Sequence, residues 1–300
     1  MNGTKELCGM IPVFKPEGWT SFDVVAKLRG ILHIRRLGHA GTLDPMATGV
    51  LPVFVGKATK ACDILPDSDK AYEAGFCLGI VTDTQDITGR ALETSERAVS
   101  RREIEDALSA FRGEIMQIPP MYSAVKVGGK KLYELAREGK EIEREPRPVT
   151  VYAAELTEYN EETREGRLLV SCSKGTYIRT VIHDLGQALG CGAAMTSLVR
   201  TAAAGFELGD CFTLEQLAEM PPEQAVSPLI RAFDGMTRTR PLDEHRTRLY
   251  KNGVKLSSAQ VGLGRSFDRE FCVIGEDGEL LGIARIDSAN DEVRAVRNFY

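Results

Sequence analysis

Strand-like and helix-like segments alternate along the first two thirds of the chain, and this order restricts the fold more than any other feature of the sequence. Ala71–Leu78 alternates apolar and polar residues with the period of a half-buried strand. Phe22–Leu32 repeats apolar residues on one helical face, and Thr20 or Ser21 can cap its start. Further strands are predicted at Ile11–Phe14, Val50–Val55, Val149–Thr157 and Arg167–Ser173, and further helices at Lys57–Leu65, from Ser100 to before Gly113, at Leu132–Glu138, at Tyr177–Leu189 and from Thr213. We therefore expect an α+β fold, a mixed sheet covered by helices.

The end of the chain has a different pattern, with short strands and no long helical face. The segment "FCVIGEDGELLGIARI" contains two short strands around Asp277-Gly278, which is a strong signal for a hairpin turn. A length of 300 residues suits two domains of roughly 150 residues each. We predict one domain over residues 1–235 and a small β-rich module over residues 236–300.

Composition excludes several classes of protein. The chain is 43% hydrophobic and 27% charged, and no apolar run approaches the roughly 18 residues of a membrane helix. The first residues lack the basic start and apolar core of a signal peptide, so a cytoplasmic protein with no membrane contact is expected.

Metal sites and disulfides are not predicted. The seven cysteines are dispersed without a C-x-x-C pair, and the four histidines lack the i,i+4 spacing of a helical metal site. The segment "TDTQDITG" from Thr82 is superficially similar to a calcium loop. Counted from Asp83, however, the loop's fifth position is Ile87 instead of an acidic residue and its sixth is Thr88 instead of glycine. We predict no metal.

Charge is distributed unevenly along the chain. The net charge of −5 argues weakly against nucleic-acid binding. From Val24 to Cys62, however, Asp44 is the only acid, against six lysines and arginines. This basic segment is either a solvated face or a surface that attracts a polyanion.

The lone acid lies in a glycine-rich stretch, "GHAGTLDPMATGVLPV". Asp-Pro commonly starts a turn, so Asp44 could have a purely structural role. The flanking glycines Gly38, Gly41 and Gly49 would let the backbone approach a large ligand closely. No second carboxylate is near in sequence, which weakens a two-acid hydrolase, although the fold could supply a partner.

This stretch resembles the catalytic motif of the bacterial TruB-type tRNA pseudouridine synthases, which modify the T-loop uridine and are related to dyskerin. Similar blocks occur in the family's order over Ile11 to Phe206: "KPEGWTSFDVV", "DKAYEAGFCLGIVTDTQDITG", "QIPPMYSAVKVGGKKLYELAREG", "SCSKGTYIRTVIHDLGQALGCGA" and "LVRTAAAGF". Phe14 departs from the Asp or Asn that often precedes Lys-Pro in the family, while Lys15 is retained. The C-terminal module resembles an RNA-binding PUA domain.

The resemblance implies an isomerase that converts uridine 55 of tRNA to pseudouridine, with Asp44 as its essential aspartate. The reaction breaks the bond from ribose to N1 and joins C5 to the same carbon, so it requires no cofactor, metal or external nucleophile. Asp44 could attack the sugar, attack the base or remove a sugar proton. Arg179 is implied as its counter-ion, in the first turn of a helix, where the macrodipole disfavours a cation.

The resemblance also implies how a flipped base is held. Tyr72 would stack on the base, Tyr177 and Leu198 would line the pocket, and His39 would fill the space that the base leaves. Lys15 would support the loop or contact RNA. Tyr72 and Leu198 could also be ordinary core residues.

The expected partner is the T-arm stem-loop of tRNA, bound by a monomer that requires no protein partner. Three alternatives stay open: a synthase with a ribosomal or guide-directed target, a non-catalytic RNA-binding or RNA-folding protein, and, more distantly, a two-carboxylate glycosidase.

Overall fold

The computed structural model describes residues 7–65 and 69–300. The first residues, on which the prediction about a signal peptide partly depends, lie outside this range. The strands of the described residues are β1 (Gly9–Lys15), β2 (Leu37–His39), β3 (Thr48–Val55), β4 (Lys70–Leu78), β5 (Ile80–Thr82), β6 (Ala91–Thr94), β7 (Gly113–Gln117), β8 (Lys126–Val127), β9 (Lys130–Lys131), β10 (Arg147–Asn160), β11 (Glu165–Cys172), β12 (Ala193–Ala203), β13 (Phe206–Glu207), β14 (Phe271–Ile274), β15 (Leu280–Asp287) and β16 (Glu292–Asn298). The α-helices are α1 (Ser21–Leu32), α2 (Arg101–Leu108), α3 (Leu132–Arg137), α4 (Ile178–Ala188), α5 (Leu214–Glu219), α6 (Pro222–Ala225) and α7 (Glu244–Lys251).

A mixed sheet forms the centre of the molecule, with strand order β1-β3-β12-β4-β11-β10-β7. The β12–β3 pair is parallel, whereas β12 pairs with β4, and β11 with β4 and β10, in antiparallel fashion. Helix α4 lies over the buried side of β4 and β12, where Ile182 and Leu185 pack against Phe76. The predicted α+β class is confirmed.

Local sequence signals place most of the predicted elements correctly. Thr20 and Asp23 form a reciprocal capping box at the start of α1, and Ser100 does the same for α2 with Glu103. Helix α4 begins directly after Tyr177, close to the predicted start.

Two predictions about elements were wrong or incomplete. The helix predicted over Lys57–Leu65 is a short 3₁₀ turn, Gly56–Ala61, because Gly56 is in the left-handed region at φ 60° and buried Ala58 and Ala61 pack the segment tightly. Strand β12 was not predicted, since its alanine-rich sequence has little β propensity and its position between β3 and β4 makes it a strand.

The C-terminal residues form a separate three-stranded sheet, β14-β15-β16, which confirms the hairpin predicted around Asp277-Gly278. Tyr250, Phe271 and Leu281 belong to a core cluster on this sheet. Ile283 and Phe299 pack instead with residues of the larger part of the chain. The division at residues 235 and 236 stays a prediction. No helix among the described residues is long and apolar enough to span a membrane.

Candidate active site

Asp44 lies in the loop between β2 and β3, where its carbonyl accepts a hydrogen bond from the backbone N–H of Ala47 at 3.0 Å. The Asp44 side chain is 38% exposed. One carboxylate oxygen, Oδ2, is 2.9 Å from Nε of Arg179. The structure therefore joins the glycine-rich loop to the first turn of α4 through an ion pair.

The Arg179 guanidinium is fixed on its other side by the backbone. Its Nη1 donates to the carbonyl of Thr84 at 3.0 Å, and its Nη2 donates to the carbonyl of Tyr122 at 2.8 Å. The side chain is only 5% exposed. Because both terminal nitrogens are held by main-chain acceptors, the guanidinium presents Nε to Asp44 in one orientation.

A second carboxylate, Asp86, lies behind the arginine, and the sequence analysis missed it. Its Oδ2 is 3.9 Å from Nη1 of Arg179. Its Oδ1 accepts hydrogen bonds from the Thr84 hydroxyl at 2.9 Å and the Thr88 N–H at 3.0 Å. Asp86 belongs to the "TDTQDITG" segment, which we rejected as a calcium loop and which also ends one of the blocks that resemble the family; no role was predicted for Asp86 itself. Its spacing from Thr84 and Thr88 was the available signal.

Tyr72 and Leu198 lie on neighbouring strands, β4 and β12, and both are nearly buried, with 8% and 7% exposure. They share a core cluster with Leu43 and Ala47, which flank Asp44 in the loop. Burial raises the pKa of the Tyr72 phenol, and the negative charge of Asp44 acts in the same direction. The structure thus brings Tyr72 and Leu198 to the loop that carries Asp44, although both are also core residues.

Tyr177 is held at the start of α4 by the side chain of Gln117. The Gln117 amide donates to the Tyr177 carbonyl at 3.1 Å and accepts from the Tyr177 N–H at 2.8 Å. Burial raises the pKa of the Tyr177 phenol, with a smaller contribution of the same sign from Asp44. Tyr177 therefore lies within electrostatic reach of the carboxylate.

Lys15 is fully buried beneath the loop. Its ammonium group donates to the carbonyls of Pro16 at 2.9 Å, Pro45 at 3.2 Å and Ala47 at 2.5 Å. Burial lowers its pKa to about 8, and the charge of Asp44 opposes this shift. Of the two roles expected for Lys15, this geometry favours support of the loop, because the side chain has no exposed surface.

His39 lies in β2, at the other end of the same loop. Its Nδ1 is buried and has no hydrogen-bond partner among the residues that the structure describes. Burial lowers the pKa of its imidazole, and the Arg200 guanidinium adds to this effect. The lowered pKa favours the neutral form of the ring, which is compatible with a space-filling role beside a flipped base.

Comparisons with known proteins identify the family. Residues 29–178 match the family model described as TruB family pseudouridylate synthase (N terminal domain), and residues 179–236 match that of the tRNA pseudouridylate synthase B C-terminal domain. The chain belongs to the TruB family of pseudouridine synthases. The expected family is confirmed, and with it the class of enzyme, an isomerase.

The similarity to curated relatives extends over most of the chain. A tRNA pseudouridine synthase B of Heliobacterium modesticaldum is 49% identical over 247 residues, covering 81% of this chain and 79% of that protein. One of Stutzerimonas stutzeri is 43% identical over 286 residues, covering 92% and 93%. Among solved structures, a Cbf5-Nop10-Gar1 complex has a TM-score of 0.75 at 27% identity and covers 97% of this chain and 85% of that chain.

In this TruB-family chain, a further buried cation lies beside the site and was not singled out from the sequence. Arg200 on β12 is 1% exposed, and its Nε donates to the carbonyl of Val50 at 2.7 Å. It belongs to the "LVRTAAAGF" block, in which an arginine two residues after Leu198 lies on the same face of a strand.

Proposed function

We propose that this protein converts uridine 55 in the T-loop of tRNA to pseudouridine and that Asp44 is its essential catalytic residue. The observation that carries the proposal is the 2.9 Å pair between Asp44 and Arg179, beside Tyr72, Tyr177 and Leu198. The carboxylate is partly exposed while its partner is buried, so a nucleotide can reach the acid without displacing the guanidinium.

The reaction rearranges one nucleotide without adding or removing atoms overall. The bond from C1′ to N1 breaks, the uracil turns, and C5 bonds to C1′; C5 loses its proton and N1 carries one in the product. Arg179 holds Oδ2 of Asp44, so Oδ1 is the oxygen that would face the ribose or the base. Attack on C1′, attack on the base and removal of a sugar proton all remain possible first steps for this oxygen.

A uridine within a folded T-loop must leave its stack before Asp44 can reach it. Tyr72 supplies an aromatic ring for the extruded base, an interaction worth about 1–3 kcal/mol. A phenol with the ordinary pKa of 10.0 is protonated at neutral pH, and burial raises the pKa of Tyr72 further. Tyr177 and Leu198 form the walls of the pocket, His39 fills the space that the base leaves, and Lys15 holds the loop.

The choice of tRNA rests on similarity and on charge. The curated relatives named tRNA pseudouridine synthase B share 40–49% identity with this chain over most of its length. The basic segment of residues 24–62, which carries Asp44, suits an RNA backbone. We further propose that the protein acts in the cytoplasm as a monomer without guide RNA or protein partners, and that residues 236–300 are a PUA-like module that adds RNA contacts.

The test is conversion of an unmodified tRNA transcript, labelled with tritium at C5 of uridine, by the purified chain alone. We expect tritium release from the T-loop uridine, and none from a transcript with cytidine at that position. Asp44→Asn should lower the rate by at least about a thousandfold, the scale of losing an essential catalytic group, while tRNA still binds.

Two results would contradict the proposal. Near-normal turnover by Asp44→Asn would remove the assigned role of the aspartate. Tight binding of tRNA by the wild-type protein without any tritium release would favour the non-catalytic RNA-binding alternative.

A further inference from the structure

Arg200 occupies a central position between the strand that carries Tyr72 and the strand that follows the Asp44 loop. In the sheet register, Arg200 is opposite Tyr72 on β4 and opposite Gly49 on β3. A Cβ at Gly49, where φ is 100°, would lie 2.3 Å from the backbone oxygen of Arg200. The end of the loop is therefore in direct contact with the Arg200 backbone, and only glycine fits there.

The Arg200 side chain contacts the loop at two further points. Its Nε donates to the carbonyl of Val50, just after the loop. A Cβ at Gly41, just before Asp44, would lie 3.1 Å from Nη1. One guanidinium thus touches both sides of the segment that presents the carboxylate.

Within residues 7–65 and 69–300, no carboxylate forms an ion pair with this buried cation. Burial lowers the pKa of Arg200, and the groups of the described chain that oppose this shift are Tyr72 and Cys211, neither of them a carboxylate. Its Nη2 is buried and has no hydrogen-bond partner within residues 7–65 and 69–300. A buried charge that no described carboxylate pairs with is unfavourable for folding, so the position of Arg200 in the fold requires another explanation.

The position of Arg200 opposite Tyr72 supplies an explanation for its burial. Arg200 and Tyr72 are both buried and lie opposite each other in the β12–β4 register. A guanidinium has only donors, so towards it the phenol of Tyr72 can offer only its oxygen as an acceptor. A phenol oxygen that accepts from the guanidinium keeps its own hydrogen on the side away from Arg200. Leu198 and Arg200 are two residues apart on β12 and both are buried, so Arg200 meets Tyr72 on the face of the sheet where the flipped base would stack.

We infer that Arg200 is a positioning residue of the reaction: its guanidinium locks the Tyr72 ring and hydroxyl in register with the loop that carries Asp44. The inference rests on the proposed function. It assigns Arg200 an effect on the chemical step that acts through the Tyr72 hydroxyl, rather than a contact with substrate.

The experiment is a double-mutant cycle on a T-arm stem-loop, with single-turnover rate, RNA affinity and thermal unfolding measured for Arg200→Gln, Tyr72→Phe and the double variant. We expect Arg200→Gln to slow the reaction about tenfold or more and to change affinity less than about threefold. In the Tyr72→Phe background, Arg200→Gln should slow the reaction by less than about threefold, because the hydroxyl through which Arg200 acts is absent. Arg167→Gln, an arginine on the open face of the same sheet, is the matched control and should keep the wild-type rate.

Equal rate losses in both backgrounds would overturn the inference and leave Arg200 a structural residue. If Arg200→Gln does not fold, Arg200→Lys takes its place in the cycle. An ammonium keeps the charge but cannot bond Val50 and Tyr72 in the fork geometry of a guanidinium. Arg200→Lys must therefore reduce the single-turnover rate less in the Tyr72→Phe background than in the wild type. A wild-type protein that fails to modify the stem-loop contradicts the proposed function; an active wild type with additive variants contradicts only the role of Arg200.

Discussion

Ion pairs lie on both faces of the central sheet at β4 and β11, but the arginine is half exposed to water in one pair and buried in the other. On the open face, Arg167 is 2.5 Å from Glu73 and 3.3 Å from Glu158, and its side chain is 50% exposed. On the face covered by α4, Arg179 is 2.9 Å from Asp44 and 5% exposed. Water can replace either partner of the first pair, whereas main-chain carbonyls hold the second, so distance alone does not show what an ion pair contributes.

Breaking the covered pair should have the largest effect. Arg179→Gln leaves Asp86 buried without its cation and frees the Thr84 and Tyr122 carbonyls. We expect a loss of about 3–5 kcal/mol in the free energy of unfolding, as for a buried pair that loses one partner. Urea unfolding followed by circular dichroism measures this loss; a change below about 1 kcal/mol would mean that water enters the site as freely as on the open face.

Lys15 adds a third cation to this comparison, and its ammonium group is buried beside carbonyls rather than carboxylates. Lys15→Met should lower the free energy of unfolding by about 1–3 kcal/mol at pH 7, because three carbonyls lose their donor.

The pKa of Lys15 is about 8 in the folded chain and 10.5 ordinarily, so between these values the unfolded state binds more protons. Wild-type stability should therefore rise relative to Lys15→Met from pH 8 towards 10.5, by at most about 1.4 kcal/mol per pH unit.

Denaturant titrations of both proteins across this pH range measure the difference directly. Effects of other titrating groups are common to the two proteins and cancel. A difference that stays constant, or shrinks above pH 8, would contradict burial of the charged ammonium.

The smallest effect is expected on the open face. Arg167→Gln should change the free energy of unfolding by less than about 1 kcal/mol, and added salt should reduce the difference further. The same urea titration at low and high salt is the measurement. A loss as large as that of Arg179→Gln would remove the distinction between the two faces.

Signals that depend on near neighbours in the chain were predicted well. The capping residues Thr20, Ser100 and Thr213 are each followed three residues later by the side chain that completes the box. The Asp277-Gly278 turn likewise marks its hairpin. The candidate site was found differently: a resemblance across several blocks pointed to Asp44, Tyr72 and Arg179, which the structure brings to one place.

Contacts across long separations were not predicted. Arg179 was expected as the counter-ion of Asp44, but its bond to the Thr84 carbonyl, 95 residues away, was not; Arg200, which bonds the Val50 carbonyl across 150 residues, was not singled out at all. Strand β12 lies between β3 and β4 although its alanines favour no strand. Such partners are not visible in any local pattern.

The sequence by itself determined the capped helix starts at Thr20, Ser100 and Thr213 and the hairpin at Asp277-Gly278, because capping and turn geometry depend on residues a few positions apart. Only the tertiary structure decided which cations are buried and what they hold. Lys15 and Arg200 could each have been a solvated surface residue; packing from distant segments removed them from water and left backbone carbonyls and a tyrosine as their partners.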